Sequence, residues 1–207
     1  MGSEMCIRDR YVGVEVGIPN FANLFMTSPE INIDPTIAGS VVGTYWFLMM
    51  IGRLCGASIG AKVSSRAMLT VVSTVGIALV LGAIFCADNI LVNMPVFKSD
   101  ISFGFAQVPV NVMLLILCGL CTSVMWGGIF NLAVEGLGKY TAAASGLFMV
   151  MVCGGGILPL IQGGVADFAG FLNSYWVIAL GLAYILFYAA IGSKNVNTDI
   201  PTDDYEA

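Results

Sequence analysis

The chain has 207 residues, a formal net charge of −5 and no histidine; 58% of its residues are hydrophobic and only 10% are charged. A soluble domain needs about 25% charged residues to cover its surface, so the solvent of this chain must largely be lipid. The lack of a basic face argues against nucleic-acid binding. Without histidine, Ser-His hydrolytic pairs and His-based metal sites are excluded. We therefore expect a membrane protein with no metal and no cofactor.

The two ends of the chain differ from its middle. The first ten residues, MGSEMCIRDR, are polar and lack the apolar core of a signal peptide. We expect residues 1–10 to be a non-native leader and the native chain to continue upstream of Tyr11. Four acidic residues fall within the last nine, so residues 193–207 are predicted to form a disordered acidic cytoplasmic tail. This leaves residues 11–192 as the membrane domain.

Apolar runs dominate that domain, and a membrane helix needs about 20 mostly apolar residues. Six spans are predicted, the first of them short and polar: Tyr11–Met26, Thr36–Ala61, Ala67–Ala87, Val110–Val134, Thr141–Val165 and Phe171–Gly192. A long connection, residues 88–109, divides them into three plus three. Polar groups concentrate in the first and fourth spans, and small residues in the second and fifth. This order predicts an all-α membrane protein of two inverted three-helix repeats.

Positive charges collect on one side of these spans. That side receives Lys62, Arg66, Lys139 and Lys194, with Arg53 near the same end of its span, whereas the other side receives only Lys98. Lysine and arginine accumulate in cytoplasmic loops. Both ends of the membrane domain are therefore predicted to be cytoplasmic.

Glu15 is the most informative residue of the first span, because an ionised carboxylate within the bilayer costs about 3 kcal/mol. It is predicted to bind substrate or to respond to protons, the alternative being a carboxylate that reaches water near the cytoplasmic end. Asn20 and Asn23 follow Pro19, which removes a backbone donor and is expected to kink the helix. Their amides suit a hydroxyl-rich ligand, and interhelical hydrogen bonding is an equal alternative.

The second span places two aromatic residues, Tyr45 and Trp46, near the middle of the membrane. Their rings would pack against a sugar ring or, as the more common alternative, against a neighbouring helix. Both residues are therefore candidates for substrate binding.

The fourth span contributes Asn131 and Glu135, which share a helix face at i, i+4. Trp126 points about 140° away from Asn131, so the three residues are not expected to line one narrow stripe. Asn131 is the better cavity candidate. Glu135 is expected to pair with Lys139 near the cytoplasmic end, and a gate-like ion pair with Arg53 is an alternative.

Helix breakers interrupt the fifth span at Gly154, Gly155, Gly156 and Pro159. Glycines at this density let helices approach closely or bend. They are predicted to lie at a packing or moving interface. Gln162, just beyond, is expected to face the cavity or to bond a carbonyl that the proline leaves free.

Four segments of the chain have a familiar form: YVGVE (Tyr11–Glu15), GTYWFLMMIGRLCG (Gly43–Gly56), IFNLAVEGLG (Ile129–Gly138) and GLFMVMVCGGGILPLIQGGVADFAG (Gly146–Gly170). Together they resemble the sugar permeases of the major facilitator superfamily, in the fucose permease and glucose/galactose transporter group. The resemblance runs from Tyr11 to about Gly192. It corresponds to the carboxy-terminal six-helix half of a twelve-helix fold.

The resemblance implies proton-coupled uptake of a monosaccharide by alternating access in a bacterial inner membrane. The partners implied are a sugar, protons as the coupling ion, and a missing amino-terminal six-helix half. In that scheme Glu15, Asn20 and Asn131 contact the sugar. Two departures leave the sugar open: Trp126-Gly127-Gly128 replaces a frequent Phe-Pro-Thr, and Glu15 stands where fucose permeases have glutamine.

A hypothesis from another class is a stand-alone six-helix subunit, working as a half-size channel, a homodimer or a sensor without sugar transport. An intramembrane enzyme is not expected. The sequence contains no histidine to serve as the base of a serine protease and no G-x-G-D for an aspartyl protease.

Overall fold

The computed structural model describes residues 2–60, 62–86, 90–98, 102–134, 141–150 and 154–192. Seven α-helices and one β-hairpin make up this part of the chain. In order they are α1 (Gly2–Thr27), α2 (Pro35–Gly60), α3 (Ser65–Phe85), β1 (Leu91–Phe97), β2 (Phe103–Pro109), α4 (Val110–Val134), α5 (Thr141–Val150), α6 (Gly154–Ala169) and α7 (Phe171–Phe187), which continues as a π-helical turn (Tyr188–Gly192).

Four helices of the described part are long and apolar enough to cross a membrane: α2, α3, α4, and α7 with its π-helical turn. The chain is therefore a multi-pass helical membrane protein. These four helices lie within two residues of the predicted second, third, fourth and sixth spans. The predicted fifth span corresponds to α5 and α6, and residues 151–153 between them lie outside the description.

Helix α1 begins at Gly2, nine residues before its predicted start. It therefore runs through the leader, which we had set apart from the fold because its polar sequence shows no periodicity. Ile7 in this stretch is buried, and the Arg10 guanidinium lies 3.9 Å from the centroid of the Tyr184 ring. The non-native origin of residues 1–10 stays a prediction.

Helix α4 lies at the centre of the bundle and packs against α1, α2 and α3. Its contact with α2 is close because glycines leave room for the neighbouring chain. A Cβ on Gly119 would lie 2.7 Å from the carbonyl oxygen of Tyr45, and one on Gly56 would overlap Val124. Helix α7 packs against α1, α3 and α6 and completes the interior.

The long connection between the third and fourth spans contains an antiparallel hairpin in which Leu91 pairs with Pro109 and Phe97 with Phe103. Phe97 stacks on Phe47 of α2 with 4.9 Å between ring centroids, and its N–H donates to Thr44 Oγ1 at 2.9 Å. The strands were not predicted, because the exposed face carries the large apolar residues Leu91, Phe103 and Phe105, so the sequence shows no clean alternation of apolar and polar residues. A two-stranded hairpin is marginal alone, and here α2 supports it.

Two short connections fix the directions of the helices they join. Asp34 precedes Pro35, the first residue of α2, and its Oδ1 accepts the N–H of Thr36 at 2.7 Å. That hydrogen bond holds the pKa of Asp34 below its ordinary value. Gly170 alone separates α6 from α7 with φ of +91°, a conformation that other residues rarely adopt.

Several predictions concern residues outside the described ranges. These are the ion pair of Glu135 with Lys139 and the disordered tail over residues 193–207. They stay predictions.

Candidate functional site

An ion pair between α1 and α2 forms the centre of the site. Glu15 lies thirteen residues after α1 begins at Gly2, which is about 20 Å at 1.5 Å per residue. Its carboxylate Oε1 accepts from Arg53 Nη2 at 3.2 Å. The Glu15 side chain is only 15% exposed, whereas that of Arg53 is 55% exposed. This placement favours a paired carboxylate inside the bundle over one that reaches water at the end of its helix.

Arg53 belongs to an exposed stripe of α2. Trp46, Met50 and Arg53 follow one another at i, i+4 and i+7, which places them on one helix face, and all three are exposed. The Trp46 ring meets the edge of Tyr45 at 5.5 Å and 89°. Arg53 also donates to the sulfur of Met49 at 3.4 Å. Helix α2 thus presents an indole face and a cation side by side.

Tyr45 lies behind this stripe, with none of its side chain exposed. Its hydroxyl donates to the backbone carbonyl of Glu15 at 3.3 Å and lies 3.0 Å from Thr122 Oγ1. The Tyr11 hydroxyl donates to the Thr122 carbonyl at 3.1 Å. These groups form a buried hydroxyl network, defined by Tyr11, Tyr45 and Thr122, beneath the ion pair. Tyr45 therefore contacts Glu15 from behind, whereas the neighbouring Trp46 is exposed on the face of the stripe.

A groove of about 370 Å³ continues from Arg53 along α4, where Trp126, Gly127 and Asn131 line it. The Asn131 amide donates to Ser65 Oγ at a long 3.4 Å. Trp126 and Asn131 both line this groove although they point in different directions on α4. The groove wraps around the side of α4 and so includes residues that are about 140° apart on the helix.

Two predicted binding residues of α1 lie beyond its proline. Asn20 is exposed and Asn23 is half-buried. At 100° per residue, they are rotated about 140° and 80° from Glu15. The structure therefore does not place either amide on the same face of α1 as Glu15.

Gln162 is wholly buried between α1, α6 and α7. Its Nε2 donates to Ser174 Oγ at 3.4 Å, and its Oε1 has no hydrogen-bond partner among the described residues. The same oxygen would lie 2.6 Å from a Cβ on Gly17. Gln162 thus packs in the interior of the helix bundle, three residues after Pro159, and does not line the groove beside Arg53.

The glycines that begin α6 have different surroundings. A Cβ on Gly155 would lie 2.9 Å from Val12 Cγ1, so Gly155 permits close approach of α6 to α1. Gly156 is exposed, and a Cβ there would meet nothing within 4 Å. Gly154 is the first residue of the helix. The triplet therefore combines one internal contact with one open position.

Within the described ranges, no group of three His, Cys, Asp or Glu side chains is placed to hold a metal ion. Sequence reasoning identified Glu15, Arg53 and Asn131 separately but missed that Glu15 and Arg53 form a pair. It also missed Tyr11 and Thr122. The sequence offered one signal for the contacts around Glu15: Pro19 lies four residues after it, so the backbone carbonyl of Glu15 lacks its helical donor. The sequence does not tell which residue donates to that carbonyl instead.

No family model matches the sequence, but individual proteins are similar to it. A glucose/galactose transporter of Brucella abortus biovar 1 (strain 9-941) is 30% identical over 186 residues, covering 89% of this chain and 40% of that protein. The L-fucose-proton symporter of Escherichia coli (strain K12) is 33% identical over 92 residues, covering 44% of this chain and 21% of that protein.

The fold is also similar to a solved structure. The crystal structure of a major facilitator superfamily transporter in the outward conformation matches with a TM-score of 0.76 and 21% identity, over 93% of this chain and 42% of that one. The matches to the glucose/galactose transporters and to the solved transporter extend over most of this chain. The chain nevertheless spans only about two fifths of the length of those proteins.

Proposed function

We propose that the chain belongs to the major facilitator superfamily and is part of a monosaccharide transporter, because it is similar to a glucose/galactose transporter, to an L-fucose-proton symporter and to a solved transporter of that superfamily. It supplies the carboxy-terminal six-helix half, and an amino-terminal half packs against its open face. The transporter works as a secondary active, proton-coupled system by alternating access. The names of the relatives support the sugar and the proton, since they are a glucose/galactose transporter and an L-fucose-proton symporter.

The observation that carries the proposal is the Glu15–Arg53 pair, which joins α1 to α2 seven residues before α2 ends. A guanidinium at this depth is expensive in lipid, yet more than half of the Arg53 side chain is exposed. We assign the stripe of Trp46, Met50 and Arg53 to the wall of a water-filled cavity, because water solvates the exposed guanidinium better than lipid does. In a two-half transporter that cavity lies between the halves.

The groups around this cavity suit a sugar. The Glu15 carboxylate accepts from hydroxyls, Arg53 donates to them, and the Asn131 amide does both. The indole rings of Trp46 and Trp126 offer apolar faces to the C–H side of a sugar ring. Asn20 and Asn23 offer their amides to the sugar farther along α1, in the part of the cavity between Pro19 and the end of the helix. Tyr45 and Gln162 act behind the surface and hold the helices that form it.

Motion between the halves uses the helix breakers. Pro19 and Pro159 lie inside α1 and α6, where each removes a helical hydrogen bond. Gly156 keeps the surface of α6 flat for a sliding neighbour. As part of this proposal, Glu135 pairs with Lys139 at the cytoplasmic end. Both ends of the membrane domain are cytoplasmic, and the membrane is a bacterial inner membrane.

Uptake by reconstituted protein tests the proposal. The chain, joined to its amino-terminal half, is placed in proteoliposomes, and entry of radiolabelled glucose, galactose and fucose is followed with and without an inward proton gradient. Accumulation of one of them above equilibrium, abolished by a protonophore, is the expected result. Folded protein that moves none of the three would contradict the proposal. Gradient-independent flux by the six-helix chain alone would favour a half-size channel instead.

A further inference from the structure

Pro19 leaves one backbone carbonyl of α1 without its helical donor. In an α-helix the N–H of residue i bonds the carbonyl of residue i−4, and proline has no N–H. Pro19 lies inside α1, so the carbonyl that loses its donor is that of Glu15. A buried carbonyl without a partner is costly, which makes its satisfaction a structural requirement.

The Tyr45 hydroxyl, 3.3 Å from that oxygen, takes the place of the missing donor. One hydroxyl has one proton, and the neighbouring Thr122 Oγ1 lies 3.0 Å away. The Thr122 hydroxyl also lies 3.2 Å from the carbonyl of Cys118, which has the N–H of Thr122 as its helical donor. That carbonyl does not need the hydroxyl, so Thr122 can donate to the oxygen of Tyr45 while Tyr45 donates to Glu15. Since the Tyr45 side chain is wholly buried, water does not compete for this bond.

Helix α2 therefore holds Glu15 at two points. Tyr45 binds its backbone, and Arg53, eight residues later, binds its carboxylate. The short connection between α1 and α2 makes the two helices antiparallel neighbours. A helical carbonyl points toward the C-terminus of its helix, while the side chain leans toward the N-terminus. Tyr45 and Arg53 lie about 12 Å apart along α2. Tyr45 is on the side toward which the Glu15 carbonyl points, and Arg53 is on the side toward which the Glu15 side chain leans.

We propose that Tyr45 is a positioning residue: its hydroxyl replaces the donor that Pro19 removes, and so fixes the direction in which Glu15 meets Arg53 and the sugar. Tyr45 does not touch the sugar itself. The effect on sugar affinity rests on the proposed function, whereas the effect on α1 does not.

A double-mutant cycle of Tyr45→Phe and Pro19→Ala isolates this role. Alanine restores the N–H at position 19, so the Glu15 carbonyl no longer needs the hydroxyl. Hydrogen–deuterium exchange of residues 16–23 is measured in the full protein without sugar. With Pro19 present, Tyr45→Phe should speed exchange roughly fivefold, as expected for the loss of one buried hydrogen bond. With Pro19→Ala the same change should speed it less than about twofold.

Tyr175→Phe is the matched control. The Tyr175 hydroxyl donates to the carbonyl of Ile18 at 2.9 Å, and that carbonyl keeps Ala22 as its ordinary helical donor. Its effect should therefore be the same in both Pro19 backgrounds. If Pro19→Ala aggregates, Pro19→Gly restores the same N–H.

Sugar affinity of the same variants provides the second readout. Tyr45→Phe should weaken binding about fivefold only where Pro19 is present. Equal effects of Tyr45→Phe in both backgrounds, in exchange and in affinity, would overturn the positioning role. Suppose instead that Tyr45→Phe speeds hydrogen exchange only where Pro19 is present, in a protein that binds no sugar. That result would uphold the positioning role and contradict the proposed function.

Discussion

Arg53 Nη2 of α2 lies 3.2 Å from Glu15 Oε1 of α1, and the two side chains differ in exposure, at 55% and 15%. The carboxylate belongs to the protein interior and the guanidinium to the surface. The pair therefore marks the boundary between the packed bundle and the face that we assign to the cavity.

Removing one member of this pair should destabilise the protein more than removing both. A buried charge that loses its partner is strongly unfavourable, and the exposure of Arg53 reduces the effect. We expect Arg53→Gln to lower the unfolding free energy by about 1–2 kcal/mol. The double variant with Glu15→Gln should recover part of that loss. Thermal melting of the full protein measures both, and strictly additive effects would contradict the pairing. Lys62→Gln, beyond the end of α2, is the control for loss of a charge.

Gly17→Ala should destabilise the bundle. The added Cβ would lie 2.6 Å from Gln162 Oε1 and 2.9 Å from Ile178 Cδ1. Both atoms are ends of side chains that can shift, so we expect a cost of about 1 kcal/mol, at the lower end of the range for overpacking. Gly39→Ala on α2 is the control, because its Cβ would meet nothing within 4 Å. Alanine also favours helices, so that control should melt at the same temperature or slightly higher. A Gly17→Ala variant that melts like the control would show that α1, α6 and α7 do not pack as described.

The hairpin should loosen from α2 when its anchor is removed. Thr44→Val keeps the shape of the side chain but cannot accept the N–H of Phe97. We expect the Phe97 amide to exchange roughly fivefold faster. Thr74→Val is the matched control, because the Thr74 hydroxyl bonds the carbonyl of Thr70 within its own helix. Unchanged exchange at Phe97 would mean that the stacked Phe47 ring alone holds the hairpin.

Asp34 should stabilise the first turn of α2 only when ionised. Its pKa is lowered in the folded protein by the N–H of Thr36, so folding favours the charged form. The contribution is therefore fully present above the ordinary value of 3.8, and it is lost as the pH falls through the lower, folded pKa. Asp34→Ala should speed amide exchange at the start of α2 at neutral pH and have no effect at strongly acidic pH. Glu30→Ala serves as the control, and a pH-independent effect of Asp34→Ala would contradict this origin.

The sequence was sufficient for long apolar helices and insufficient for contacts between them. The limits of α4 follow directly from an apolar run that starts and stops abruptly. The hairpin after α3 depends on its packing against Phe47, which no local pattern shows. Likewise, the rarity of a carboxylate in an apolar span identified Glu15, but its partner lies 38 positions away.

Tyr45 and Asn20 show a second limit of sequence reasoning. Both residue types suit sugars, and both residues were predicted as candidates for substrate binding. Burial is decided by how a helix is rotated in the bundle, and neighbouring helices set that rotation. As a result Tyr45 is wholly buried, while Asn20 is exposed on a different face of α1 from Glu15.

Sugar uptake by Glu15→Gln in the full protein tests the central claim most directly. Glutamine preserves the shape of the side chain and one acceptor oxygen but removes the charge that meets Arg53. The account predicts at least a tenfold loss of proton-driven uptake, on the order of 1.4 kcal/mol, or an altered pH dependence, with Glu30→Gln unaffected. Wild-type uptake with a wild-type pH profile in Glu15→Gln would contradict it.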